Sequence, residues 1–172
     1  MADEVGLANL TLTAIAPRLG VRMPSLYKHV ASADALKRLV TIRATREMAD
    51  VFARAAAGKS EADALAAIAG AWREWANTHP GRYAATVRAP ARDDAEHTAA
   101  ADDVLQIVLA ALAGYALRGD DAIDAARAFR STLHGFISLE QAGAFGLPVD
   151  VDRSFDRLVA GLSGTLRSWT QS

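Results

Sequence analysis

Apolar residues recur every three or four positions through most of the chain, and polar caps and glycines punctuate the runs. This period predicts helices from end to end. Thr11 caps a helix running to Leu19, with Ile15, Ala16 and Leu19 as its inward stripe and Gly20 closing it. Leu26 and Val30 anchor a short second helix, which leaves Met23, Ser25, Lys28 and His29 facing outward. Ser32 caps a longer helix from Ala33 to Ala57, striped by Leu36, Leu39, Val40, Met48, Val51 and Phe52 and ended by Gly58. Ser60 and Asp63 open another, with Leu65, Ile68, Trp72 and Trp75 on one face. His79-Pro80-Gly81 breaks it, and a short helix carrying Tyr83 and Val87 follows. The helix from about Asp94 to Leu117 is apolar over a wide arc, which predicts a central position among several neighbours. Gly119 precedes a helix to about Phe145, positions 146–149 form a loop, and a last helix spans Asp152 to Trp169.

Two regions depart from a simple bundle. Between Leu10 and Leu36, two short apolar segments flank Gly20-Val21, and the second presents Tyr27, Lys28 and His29 in a row. Helix, tight turn and short basic helix is an arrangement that inserts side chains into a DNA groove. The pattern divides the chain into a head, 1–45, and a body, 46–172. At the other end, Ala128, Ser131, Gly135, Ser138 and Ala142 make a stripe of small residues beside Phe129, Leu133, Phe136 and Ile137. The last helix repeats this with Gly161, Gly164 and Ser168 beside Phe155, Leu158, Leu162, Leu166 and Trp169. A helix with two packing faces needs two partners, and small residues let helix axes approach closely. The body's own core supplies one partner. A second copy of the chain, meeting Ser131, Gly135, Ser138, Ala142, Leu158, Gly161, Leu162 and Gly164 about a two-fold axis, would supply the other. Coverage of both faces within one chain is the alternative.

Composition narrows the chemistry. The chain has no cysteine, which excludes disulfides, thiolate metal sites and cysteine nucleophiles and suits a reducing cytoplasm. Its longest apolar run, Val104 to Leu117, is interrupted by Gln106 and falls short of a bilayer span, and no secretory leader pattern opens the chain. The expected setting is therefore cytoplasmic, with no membrane partner. Residues 18–46 carry seven basic side chains against Asp34 alone, a local +6 that leaves −7 for the rest of a chain of net charge −1. Phosphate contacts belong at that end.

No Gly-rich phosphate loop, activated serine, paired carboxylates or metal spacing stands out, so no enzyme, metal or cofactor is expected. His79 reads as a helix C-terminal residue, and His97 as part of an exposed turn. Trp72, Trp75, Tyr83, Val104, Val108, Phe129 and His134 are placed to line an apolar cavity between body helices, with His134 its polar handle. An enzyme built around a buried His134 is the reading that the missing constellation disfavours.

Leu10-Thr11, Ala14–Val21 (AIAPRLGV) and Leu26–Val30 (LYKHV), followed by Ser32 and Leu36, resemble the DNA-binding head of the TetR family of transcriptional repressors. Leu133–Phe145 (LHGFISLEQAGAF) resembles the WHG type of TetR C-terminal domain, with Leu133 at the Trp position. The resemblance implies an all-α dimer, with a three-helix helix-turn-helix head and a helical-bundle body. That body would bind a small hydrophobic ligand, and its heads a palindromic, double-stranded operator. Carried onto this chain, Thr11 presents its helix N-terminus to a phosphate. Arg22, Met23, Pro24 and Ser25 lie near base edges, and Tyr27, Lys28 and His29 grip the backbone.

The sequence departs from the family at three places. Only Ala2 to Val5 precede Gly6, where the family has a first helix of several turns, so the first helix is either truncated or begins upstream of Met1. Ala33 stands where a lysine is usual, which removes one phosphate contact and about one unit of salt dependence. Pro17 lies inside the head's first full helix, where a regular interior would lose about 3 kcal/mol and kink. These departures support an alternative, a dimeric small-molecule binding protein whose head no longer binds DNA.

Overall fold

Caps and glycines set most helix limits in the computed structural model, which describes residues 1–169; Thr170 to Ser172, the end of the expected body, lie outside the described residues. The elements are α1 (Ala2–Val5), α2 (Leu12–Arg18), α3 (Met23–Tyr27), α4 (Ala33–Ala56), α5 (Glu61–Thr78), α6 (Pro80–Ala85), α7 (Ala95–Leu112), α8 (Asp120–Gln141) and α9 (Val151–Trp169). A 3-10 turn, Ala113–Tyr115, follows α7. The fold is all-α, without a strand among the described residues.

Two hydroxyls cap as the sequence predicts, whereas Ser60, the N-cap of α5, makes no side-chain cap hydrogen bond. Thr11 Oγ1 accepts from the Ala14 amide at 3.2 Å, and Ser32 Oγ from the Ala35 amide at 3.0 Å. Gly20, at φ 65°, makes the turn between α2 and α3. Pro17 does not end α2. It sits in the last turn, opposite the carbonyl of an exposed Thr13 that water can satisfy, and the Leu19 amide still reaches Ile15 O at 3.1 Å.

Other limits differ from the sequence reading. The α7 helix stops at Leu112 and tightens into the 3-10 turn, where Ala116 adopts a left-handed conformation. The α8 helix stops at Gln141, because Gly143 at φ 67° turns the chain. The α6 helix ends at Ala85, leaving Val87 in the exposed segment beyond it.

Two separate apolar clusters form. The smaller holds Leu12, Ala16 and Leu26, with Ile15, Met23, Val30 and Leu36 packed against them. Leu19 is not in it: as the C-cap of α2 it is 61% exposed. Met23, expected outside, is half-buried, because the first turn of α3 lies against α2. The larger cluster joins α4, α5, α6, α7, α8 and α9 around Phe52, Leu65, Ile68, Leu112, Phe129, Leu133 and Ile137. The long α4 serves both, with Leu36 in the small cluster and Ala44, Met48 and Phe52 in the large one. Leu39 drops out of its stripe and is 46% exposed; the buried α4 positions that follow it are Ile42, Ala44 and Thr45.

Polar contacts tie the helices at their edges. Arg38 grips Asp94 through two bonds of 2.6 Å, and Arg46 reaches Glu96 at 3.1 Å, which clamps the start of α7 on α4. This clamp corrects the reading of His97. It is buried, facing a hollow shared with Lys37, Arg38 and Thr41 of α4 and Ala85 of α6. Arg73 of α5 joins Glu140 of α8 and Asp152 of α9, and its guanidinium lies 4.8 Å from the Phe155 ring centre. Tyr115 and Ser163, both buried, share a 2.7 Å hydrogen bond that fastens α9 to the end of α7. Ala95–Tyr115 is long and apolar enough to cross a membrane by length and composition, beyond what the Val104–Leu117 run indicated. In this fold it packs against α4, α5 and α8.

Candidate functional site

The head exposes a short basic tip. Leu26 is the buried anchor of α3, with Met23 half-buried beside it, and the remaining residues of the helix face outward. Arg22, Pro24, Ser25, Tyr27, Lys28 and His29 are all exposed, Tyr27 to 55%. Thr11 is exposed at the N-terminus of α2, its hydroxyl engaged in the cap.

The +6 balance of the segment is largely spent inside the molecule. Arg18 pairs with Glu4, Arg38 with Asp94 and Glu96, Arg43 with Glu47 and Arg46 with Glu96. Among the described residues, Arg22, Lys28 and Lys37 of that segment make no ion pair. Two of these three cations therefore flank α3, and local composition alone could not have separated them from the paired ones.

The body holds a cavity of about 440 Å³ among α4, α5, α6, α7 and α8. Four of the seven residues expected to line it do so: Trp72, Tyr83, Val104 and His134. The other three are core. Phe129 meets Trp72 edge-on at 6.1 Å, Trp75 stacks on His79 at 5.6 Å, and Val108 is buried in the main cluster. Met48, Thr86, Val87, Arg127, Arg130 and Ser131 also line the cavity. No single helix period marks the lining residues, since they converge from five separate segments. His79 is the α5 C-cap, as expected, its amide bonded to Trp75 O at 2.9 Å.

The polar groups of the cavity are specific. Tyr83 Oη and His134 Nδ1 share a hydrogen bond of 2.6 Å. Burial pushes the Tyr83 phenol up to about 12, so it stays protonated at neutral pH. The nearby Trp72 indole and the Arg130 charge oppose that shift without overcoming it. Arg130 donates to Val87 O at 3.0 Å and to Thr86 O at 3.3 Å, which holds the segment after α6 over the cavity. Trp72 Nε1 is buried and completes no hydrogen bond.

The small-residue stripes stand open. Ser131, Ala142, Gly161 and Gly164 are exposed, and Gly135, Ser138, Leu158 and Leu162 are half-buried. A Cβ added at Gly135, Gly161 or Gly164 would meet nothing within 4 Å. The large stripe of α9 splits, because Phe155, Val159, Ser163 and Leu166 turn to the core while Trp169 stays partly exposed. Leu139, Phe145, Leu147 and Val149 extend the exposed apolar surface around the α8–α9 loop.

Comparison with known proteins supports the same architecture. Residues 65–162 match the family described as tetracyclin repressor-like, C-terminal domain. An uncharacterised HTH-type transcriptional regulator of Mycobacterium tuberculosis is 40% identical over 98% of this chain and 77% of its own length. A second, YobS of Bacillus subtilis, is 29% identical over 88% of this chain and 78% of its own. A crystal structure assigned to a regulatory protein superimposes with a TM-score of 0.74 at 30% identity, covering 90% of this chain and 85% of that one. With both the body and the helix-turn-helix regulators matched over nearly the whole chain, the protein belongs to the TetR family of transcriptional regulators.

Proposed function

We propose that the protein is a cytoplasmic, ligand-responsive repressor that binds double-stranded operator DNA as a homodimer and is released by a small hydrophobic molecule in the 440 Å³ cavity. The observation that carries the reading is the unpaired, exposed tip of α3, held to the head through Leu26 and the half-buried Met23. In this reading Arg22, Pro24 and Ser25 approach base edges, with Met23 half-committed to the head's own packing. Tyr27, Lys28 and His29 hold phosphates, and the Thr11 end of α2 meets another. The head extends to about residue 45, and the body from 46 onward.

The open stripes of α8 and α9 support a dimer in which Gly135, Gly161 and Gly164 admit close helix approach. Met48, a cavity residue on α4, supports the coupling, because the same helix carries Leu36 against the head. A ligand that moves α4 would change the separation of two heads that must meet half-sites about one DNA turn apart.

The test is fluorescence anisotropy with DNA from upstream of the protein's own gene. Lys28→Ala should weaken binding across sequences and lower the salt slope by about one unit, and Tyr27→Phe should weaken it less. Absence of any binding by the full chain at low salt would overturn the repressor reading. Gly161→Leu should shift the mass in solution from dimer to monomer if the stripes form the interface.

A further inference from the structure

We infer that the hollow at the seam between head and body is a second ligand site, one that takes a small phosphorylated molecule. The hollow measures about 740 Å³ and lies between the first half of α4, the Leu7-Ala8 turn and the stretch from Ala84 to His97. Lys37, Arg38, Arg88 and His97 line it, against the acids Asp34 and Asp94. Lys37 is the third unpaired cation of the basic segment, and its ammonium makes one long bond, to Ala8 O at 3.3 Å. Arg88 likewise makes no ion pair among the described residues. The acids weigh less than their number suggests. Both oxygens of Asp94 are taken by the Arg38 guanidinium at 2.6 Å, and Oδ1 also accepts from the His97 amide at 3.0 Å. Asp34 is exposed and is the one carboxylate left to set against Lys37 and Arg88.

His97 narrows the chemistry of the occupant. The residue is only 7% exposed, and its amide is engaged by Asp94, but its ring completes no hydrogen bond among the described residues. The ring nitrogens are also not among the side-chain atoms sealed away without a partner, so they keep surface open toward the hollow that His97 lines. A neutral imidazole presents one N–H in either tautomer, and lysine and arginine only donate. The free groups are therefore donors, and their complement is an anion rich in oxygen. A phosphate monoester offers three acceptor oxygens and about two charges, which suits donors arriving from three separate segments. A duplex backbone cannot reach a ring buried to this degree, so the phosphate belongs to a small molecule. Bound there, it would join Lys37 of the head to Arg88 and His97 of the body.

Nuclear magnetic resonance of the full chain tests the inference, by following the imidazole signals of its four histidines at constant pH while phenyl phosphate is added. The His97 signal should move to saturation with phenyl phosphate, and stay in place with phenol or with chloride of equal ionic strength. Lys37→Gln and Arg88→Gln, both outside the two apolar clusters, should each raise the dissociation constant about tenfold. Asp34→Asn should lower it, by removing the one opposing charge. A His97 signal that does not move would overturn the inference, as would one that moves with the same midpoint as His29 on the exposed tip. Unchanged dissociation constants in both glutamine variants would overturn it as well. A His97 signal that answers to DNA and not to phenyl phosphate would assign the cluster to the nucleic-acid backbone instead.

Discussion

The two apolar clusters hold their helices by different means. The body buries Phe52, Ile68, Phe129, Leu133 and Ile137 almost completely and closes their edges with the Arg73 and Arg38 ion pairs. The head buries only Leu12, Ala16 and Leu26 in its own cluster, and relies on the Thr11 cap, the Gly20 turn and partial cover from α4. At about 25 cal/mol per Å² of apolar surface, such a small cluster contributes little, so the head depends on the end of α4 for its order. The main burial and the exposed basic tip are therefore separated in space. The tip of α3 can afford exposed, unpaired side chains because the body carries the burial.

The largest test of that division is a pair of truncations. Phe129→Ala should cost about 3–5 kcal/mol, read as a lower denaturant midpoint for the whole chain. Leu26→Ala should cost about 2–3 kcal/mol, but only of head order: DNA binding should fall while the body's midpoint holds. If Leu26→Ala lowers the global midpoint as far as Phe129→Ala does, the two regions are one cooperative unit. Next, Arg73→Met should remove about 1–2 kcal/mol from the body, because Glu140 and Asp152 lose their shared partner near Phe155. DNA affinity should not change in that variant. Ser32→Ala should cost about 1 kcal/mol and fray the first turn of α4, loosening the head more than the body in hydrogen exchange.

The smallest effect is a pH dependence at the seam between them. The Arg38 guanidinium holds the Asp94 carboxyl down to about 2, helped by the His97 amide. A carboxylate depressed in the folded state contributes while ionised, so the clamp is complete above about pH 4 and is lost as pH falls toward about 2. The His97 amide resonance should titrate over that range, and Asp94→Asn should remove the transition. A His97 amide that titrates unchanged in Asp94→Asn would place the effect elsewhere.

How much was legible depended on the reach of each interaction. Caps act over three residues, so Thr11 and Ser32 were readable one by one. The period of a helix was equally readable, but not which part of its arc would find a neighbour. Leu19 and Leu39 kept the period and still ended exposed, because α2 stops before Leu19 and the buried α4 positions that follow Leu39 are Ile42, Ala44 and Thr45. Ion pairs across 50 or more positions, such as Arg46 with Glu96, turned an apparent basic patch into a seam. The cavity was half legible for the same reason. Its aromatic members sit on recognisable helix faces, whereas Met48 and Arg130 join it only through packing.

One close contact offers a reporter for that seam. A Cβ on Gly81 would lie 1.8 Å from the Ala2 carbonyl oxygen, so α1 rests directly on the first turn of α6. The Arg82 amide there donates to Asp3 Oδ1 at 2.8 Å instead of to its own helix, which has no acceptor for it. Its exchange with solvent deuterium is thus governed by how long α1 stays docked. A single backbone proton would thus time any parting of the N-terminal turn from the body.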